Sequence, residues 1–525
     1  MPGEVKQFQS IRDITSVSLS EQDTDIFSFS KERPQPNRLA DTAILLLLTA
    51  LGLLVHGYHL GLEDEAVYLP AIKHHLDTAL YPHDSIFFLM QMKLTFYDST
   101  VAWLIRLSQL RLETFVFLAH ICSVFLVLRG CLLLSRKIFA SPEGQWAGVT
   151  LIAALLTLPV AGTALLLVDQ YLHPRSFATA FILFALVDVL DRRYIMSAIW
   201  LLAAGAISPL MALQGTAFAV FLAYRPNARS PLSAFAPAAA VSPYNTPVWN
   251  EVTRSYFYLT QWQWYELLGV IAPLLILFSF RFFKPAKALP GFQLVSRRLV
   301  YFGLCFAAVS LLLCTPVFER FLAIQPMRAF HLVYLILFLY MGGLFGQLLL
   351  KNKPLRWAIF FIPICLAMCF VQRTQFAASD HIEWPGMNSR NLYVQAFEWI
   401  RDNTPKNAFF ALDPYFMEHD GADFHGFRAL SERSMLPDQV KDPAVVSVLC
   451  TANKITDDTI INFDEVSRRW HDQAAAVRDW KNFQLQDFRR LKERFGVNYV
   501  VLEKPAIDGL ACVYENEAVK VCRID

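Results

Sequence analysis

The sequence predicts a polytopic α-helical membrane protein of about 11 spans with a C-terminal extracytoplasmic α/β domain. Three observations carry this. Of 525 residues, 55% are hydrophobic and only 18% charged, whereas soluble domains carry about 25% charged residues. Apolar stretches of spanning length recur between residues 39 and 373, too many and too long for one soluble core. Over residues 374–525 short apolar runs alternate with helical spacing, as in a small α/β domain. The net charge of +2 supplies no field for a nucleic-acid partner.

Residues 1–38 are polar and rich in Ser and Asp. They read as a disordered cytoplasmic tail without a cleavable leader, so the first span, about 39–57, stays in place as an anchor. Further spans fall at about 113–135, 145–165, 174–191, 195–208, 210–224, 264–280, 299–315, 329–350 and 355–372. Basic loops at Arg136-Lys137, Arg192-Arg193, Arg225 with Arg229, Arg281 to Arg298 and Lys351 to Arg356 belong in the cytoplasm by the positive-inside rule. Arg229 and Arg281 then share a side, which requires an even number of crossings between them. One strong span is visible there, so a second, weak crossing is assigned to residues 232–243, broken at Pro237. The N-terminus is then cytoplasmic. The C-terminal domain is periplasmic or extracellular, and the chain sits in a bacterial inner (plasma) membrane.

The outer loops are 58–98, about 163–173, 244–263 and 316–328. In the first, Leu69, Ile72, Leu76 and Leu80 follow helical spacing, which predicts an amphipathic helix lying in the interface. A short helix over Ser99–Leu110 follows. In the C-terminal domain, Leu392–Asp402 reads as a helix stopped by Asn403-Thr404-Pro405. Ala408–Leu412 and Val497–Leu502 read as buried strands. Arg478–Phe495 reads as a helix capped by Gly496. Ala511–Tyr514 and Val519–Ile524 form a hairpin. Across it Cys512 and Cys522 face each other. An oxidising compartment permits a disulfide there, but cross-strand geometry is demanding, so both states stay open. Cys122, Cys131, Cys305, Cys314, Cys365 and Cys369 lie in apolar segments and read as small buried hydrophobes.

Glu63, Asp64 and Glu65 come only a few residues after the first span. Carboxylates so near a bilayer cost solvation energy, so they have a task or a partner; acids in a first turn also cap helices. Two spans begin His173-Pro174-Arg175 and Gln325-Pro326-Met327-Arg328. Proline favours the first helical position, so each Arg falls in a first turn at the outer face. A cation opposes the helix dipole there, whereas an anion is held by free N–H groups and the guanidinium together. Two such sites suit a phosphate carrier; the alternative is that each Arg snorkels to headgroups. His331, one turn after Arg328, adds a donor. Trp249, Trp262, Trp264 and Tyr265 suit sugar stacking or, more commonly, the interfacial belt. His74, His75 and His83 lack a spacing that specifies zinc.

The Asp64-Glu65 pair with Tyr68, directly after the first span, resembles the first outer loop of GT-C-type glycosyltransferases, polytopic enzymes that use lipid-linked sugars. Trp399–Pro414, the run VNYVVL at 497–502, Phe427-Arg428 and Ser431–Ser434 resemble the C-terminal domains of bacterial GT-C-like membrane proteins. The resemblance implies a GT-C-like transmembrane domain over 39–373, a polyprenyl-phosphate-linked sugar as donor, membrane lipids as surroundings and an unidentified acceptor hydroxyl. It implies Asp64 as catalytic base and Glu65 beside it as base or metal ligand. Tyr68, Arg175, Arg328 and His331 would bind the donor phosphate. Asp169 stands where several such enzymes place a second acid that helps hold a divalent metal ion. The alternative is a non-catalytic GT-C-like envelope assembly or scaffold protein. A transporter would need acids deep in the spans and an internal repeat, and neither is evident.

Overall fold

The computed structural model describes residues 37–92, 95–224, 255–283, 285, 288–446, 463–505, 507 and 509–525. The weak crossing expected at 232–243, and Trp249, lie outside these.

Among the described residues five helices are long and apolar enough to cross a membrane: Arg38–His56 (α1), Leu112–Ile138, Pro290–Leu313, Pro326–Leu350 and Pro354–Gln375. Shorter apolar helices run over Tyr194–Ile207, Pro209–Ala223 and Trp264–Ser279. Their outward side chains are apolar: Leu366 is 65% and Phe370 72% exposed. Such a surface belongs in lipid, where exposed hydrocarbon carries no penalty. Inside the bundle, close approach depends on small residues. A Cβ on Gly148 would lie 2.8 Å from the carbonyl oxygen of Leu339, and one on Gly342 would lie 2.6 Å from that of Ala147. The helices Pro142–Ala154 and Phe330–Phe345 thus meet almost backbone to backbone.

One expected span is shorter than its apolar length. The helix from Pro142 stops at Ala154, and β1 (Pro159–Val160) pairs antiparallel with β2 (Leu165–Leu166). Pro159 cannot donate within a helix, and Gly162 turns the chain at φ +66°. Hydropathy reports the burial of 155–168 but not its backbone form.

After α1 come α2 (Glu65–Leu76), α3 (Ser85–Met92) and α4 (Tyr97–Ser108). The helix expected over Leu69–Leu80 ends four residues early, with Asp77 as its C-cap. It is buried rather than laid on lipid. Ala66, Leu69 and Ile72 share a core with Tyr97, Val101 and Ile105 of α4 and with Phe397, Phe427 and Leu430 of the C-terminal region.

That region holds a five-stranded sheet in the order β4-β3-β5-β7-β6. Its strands are β3 (Phe409–Ala411), β4 (Ser434–Met435), β5 (Tyr499–Glu503), β6 (Ala511–Glu515) and β7 (Val519–Arg523). β4, β3 and β5 are parallel, and β7 and β6 add antiparallel. The helix Leu392–Asn403 starts on Asn391, whose side chain accepts from the amides of Tyr393 and Val394. The helix expected over 478–495 starts late: a 3-10 turn occupies Trp480–Asn482, and the helix Leu485–Phe495 begins at a capping box between Gln484 and Asp487. Gly496 ends it at φ +80°. Cys512 pairs directly opposite Cys522, and the two are joined by a disulfide.

Candidate functional site

The site is built at the start of the helix Pro174–Leu190. His173 is its N-cap, and the ring Nδ1 accepts from the amide of Arg175 at 2.9 Å. That bond fixes the tautomer: with Nδ1 accepting, the neutral ring carries its proton on Nε2. Nε2 lies 3.3 Å from Asp64 Oδ2. Arg175 forks onto Asp169, Nε to Oδ2 at 3.0 Å and Nη2 to Oδ1 at 2.7 Å, and its Nη2 lies 3.7 Å from Asp64. Lys441, from the C-terminal region, donates to Asp64 at 3.2 Å and also to Glu63. Arg328, in the tight turn Pro326–Ala329, lies close enough to Arg175, Asp64 and Tyr68 to interact electrostatically with them. Its Nε is buried without a hydrogen-bond partner. The Tyr68 ring stands edge-on to that of His173 at 5.1 Å.

Asp64, Tyr68, Arg175 and Arg328, assigned to one site from their positions in the chain, therefore gather. Burial by itself would raise the Asp64 pKa. Lys441, and after it His173 and Arg175, outweigh burial and hold the carboxyl well below its usual 3.8. Asp64 nevertheless keeps 38% of its side-chain exposure, so solvent reaches it.

The other expected members are engaged in other ways. Glu65 is 2% exposed and accepts from the amide of Gly61 at 2.7 Å and from the backbone of Leu172. Burial pushes its pKa up to about 8. It is protonated at neutral pH, so the role of base or metal ligand gives way to that of holding two backbone segments. Asp169 spends both oxygens on Arg175 and is not an open metal ligand. The pair Asp169 and Glu65 is engaged elsewhere, Asp169 forked onto the Arg175 guanidinium and Glu65 on the Gly61 amide. His331 is buried, with Nε2 donating to the Leu167 carbonyl at 2.9 Å; its Nδ1 has no hydrogen-bond partner, and the ring lies close enough to Arg175 and Arg328 to interact with them electrostatically.

Asp84 is fully buried and accepts from Arg428 Nε and the Met435 amide. Arg428 also forks onto Asp442 at 3.0 and 2.9 Å, and Lys73 pairs with Glu432 at 2.8 Å. These bonds pin the segment after α1 to the C-terminal region. Asp98 on α4 is 1% exposed, and burial pushes its pKa up to about 7.

Sequence reasoning missed Lys441, which is 377 residues from Asp64 and carries no local mark. It also missed a second cluster, His59, Glu383 and His425. The helix start at Pro174, in contrast, was legible in the His-Pro-Arg order, whereas the His173 ring cap was not read. No family model matches the sequence, and no curated protein matches it.

Proposed function

We propose that this charged cluster is the active site of a GT-C-type glycosyltransferase of a bacterial inner membrane, with about 11 spans and its C-terminal domain outside. It takes a sugar from a polyprenyl-phosphate donor and passes it to an acceptor hydroxyl. The observation that carries this reading is the meeting of Asp64 with His173, Arg175 and Lys441, with Arg328 beside them.

Three carboxylates, Glu63, Asp64 and Asp169, face three cations, Arg175, Arg328 and Lys441. A donor phosphate adds negative charge to a balanced set. It engages the unpaired Nε of Arg328 first and then competes with Asp64 for Arg175 and Lys441. As Asp64 loses those partners, burial dominates and its basicity rises. Asp64 then takes the acceptor proton while the acceptor oxygen bonds to the anomeric carbon. The bond from that carbon to the phosphate oxygen breaks, and polyprenyl phosphate leaves as an anion held by the guanidinium groups.

The test uses the full chain in liposomes with a radiolabelled polyprenyl-phosphate hexose. Asp64→Asn abolishes transfer while retaining donor binding, and Arg328→Met weakens donor binding. Transfer by folded Asp64→Asn protein would reject the assignment.

A second reading rests on a specific observation: Asp64 is fully engaged by Lys441, His173 and Arg175, as in a static clamp. A non-catalytic envelope scaffold would use it so. In that case Asp64→Asn and Lys441→Met change the melting temperature alone, and the full chain binds no polyprenyl phosphate.

A further inference from the structure

Five residues before Asp64, the chain leaving α1 is clamped on both sides. Tyr58 pairs with Ile382 on one flank, and Leu62 pairs with His425 on the other. Between them His59, Glu383 and His425 bring one ligand atom each to within 4.8 Å of one another. Both histidines are fully buried, and Glu383 keeps 12% of its side-chain exposure.

The hydrogen bonds around this cluster decide which atoms face inward. His425 Nδ1 lies 3.1 Å from the Ala422 carbonyl. A carbonyl only accepts, so Nδ1 carries a proton. In the neutral ring the Nε2 lone pair then points at Glu383 Oε1, 2.9 Å away. A lone pair and a carboxylate oxygen at that distance repel unless a positive charge lies between them. Glu383 Oε2 is held by the amide of Leu60 at 2.9 Å, which leaves Oε1 for the cluster. His59 Nδ1 reaches the same oxygen at 3.4 Å, the outer limit of a hydrogen bond, and its Nε2 has no partner. This ring is poorly satisfied for a group with no solvent contact.

We infer that His59, Glu383 and His425 form a divalent transition-metal site, best suited to zinc, that fastens the Asp64-bearing segment to the C-terminal region. The ligand set, two imidazoles and a carboxylate, is one that zinc takes. Tetrahedral zinc with bonds of about 2.1 Å places its ligand atoms roughly 3.3 Å apart, close to the 2.9 and 3.4 Å separations found. The bonds from Ala422 and Leu60 are the outer contacts that fix a ligand's tautomer and aim. Glu383, Tyr58 and Leu60 also line a cleft of about 810 Å³, through which an ion and a fourth, water ligand can enter. The site stands independently of the transferase reading, since none of its residues touches Asp64, Arg175 or Arg328.

The competing occupant is a proton, which would make His425 an imidazolium paired with Glu383. The full-length protein in detergent is stripped with EDTA, reloaded with zinc chloride, desalted and assayed for metal. Wild type holds about one zinc per chain, and EDTA lowers its melting temperature. His59→Gln, Glu383→Gln and His425→Gln each lose at least about nine-tenths of that zinc, and EDTA no longer shifts their melting. His419→Gln, which alters a second His–acid cluster beside Glu503 and Asp413, keeps the full amount. If the cluster variants fail to fold, wild-type uptake and its EDTA response decide. No uptake by wild type means a proton occupies the cluster, and zinc retained by folded variants means an adventitious ion only; either result overturns the inference.

Discussion

His173 Nε2 lies 3.3 Å from Asp64 Oδ2 while the same ring's Nδ1 caps the helix Pro174–Leu190 through the Arg175 amide. One imidazole thus starts a helix and aims its remaining N–H at the carboxylate. His173→Asn separates the two tasks, since Asn is a good N-cap but is too short to reach Asp64. The variant keeps its melting temperature and loses transfer by about tenfold or more. Because His173 helps to hold the Asp64 pKa down, the acidic limb of the pH–rate profile moves to higher pH. An unmoved limb would separate His173 from the chemistry.

Glu65 and Asp98 predict an unusual pH dependence of stability. Their folded pKa values, about 8 and about 7, lie above the ordinary 4.5 and 3.8. The folded state therefore binds more protons than the unfolded one across those windows, and stability falls as pH rises through them. Each group contributes at most about 1.4 kcal/mol per pH unit. Glu65→Gln and Asp98→Asn each flatten the decline in melting temperature between pH 4 and 8 and gain most at the alkaline end. Parallel wild-type and variant curves would show that neither carboxyl is held neutral.

Arg428 joins Asp84, Asp438 and Asp442 in a buried network. Arg428→Met removes the cation and leaves three buried acids uncompensated, at a cost of about 3–5 kcal/mol. Arg428→Lys recovers little of this, because an ammonium cannot fork onto Asp442 as the guanidinium does. Denaturant unfolding with limited proteolysis of the C-terminal region reads the loss. Equal stability of wild type and Arg428→Met would mean that the network contributes nothing.

Cys512 and Cys522 are disulfide-bonded. In protein isolated without reductant, denaturation followed by alkylation leaves both unlabelled, and prior reduction labels both. Their separation of 10 residues spans a hairpin already held by β6–β7 pairing, so Cys512→Ser costs less than the roughly 3 kcal/mol expected of a 15-residue loop. Quantitative labelling without reduction would remove the bond.

Much of the helical framework was legible because its causes are local. Pro174 and Pro326 mark helix starts, Gly496 supplies the positive φ of a C-cap, and the runs of α1 and Pro354–Gln375 announce their spanning length. Short apolar segments were less legible. Residues 155–168 are mostly buried or half-buried, yet Pro159 and Gly162 fold them into a hairpin, since hydropathy measures what solvent a segment avoids and not its backbone. The interfacial place expected for α2 failed for a related reason: an apolar stripe buries equally well against lipid or against a domain, and here the domain covers it.

By itself the sequence determined a chain with helices of membrane-spanning length and the Arg-bearing turns at Pro174 and Pro326, because hydropathy, capping and allowed φ act over a few residues. Only the tertiary structure decided that Lys441 completes the ring around Asp64, that Glu65 is kept neutral on backbone amides, and that His59 meets Glu383 and His425. Charge pairing and burial depend on distances between segments hundreds of residues apart, and such distances exist only once the chain has packed.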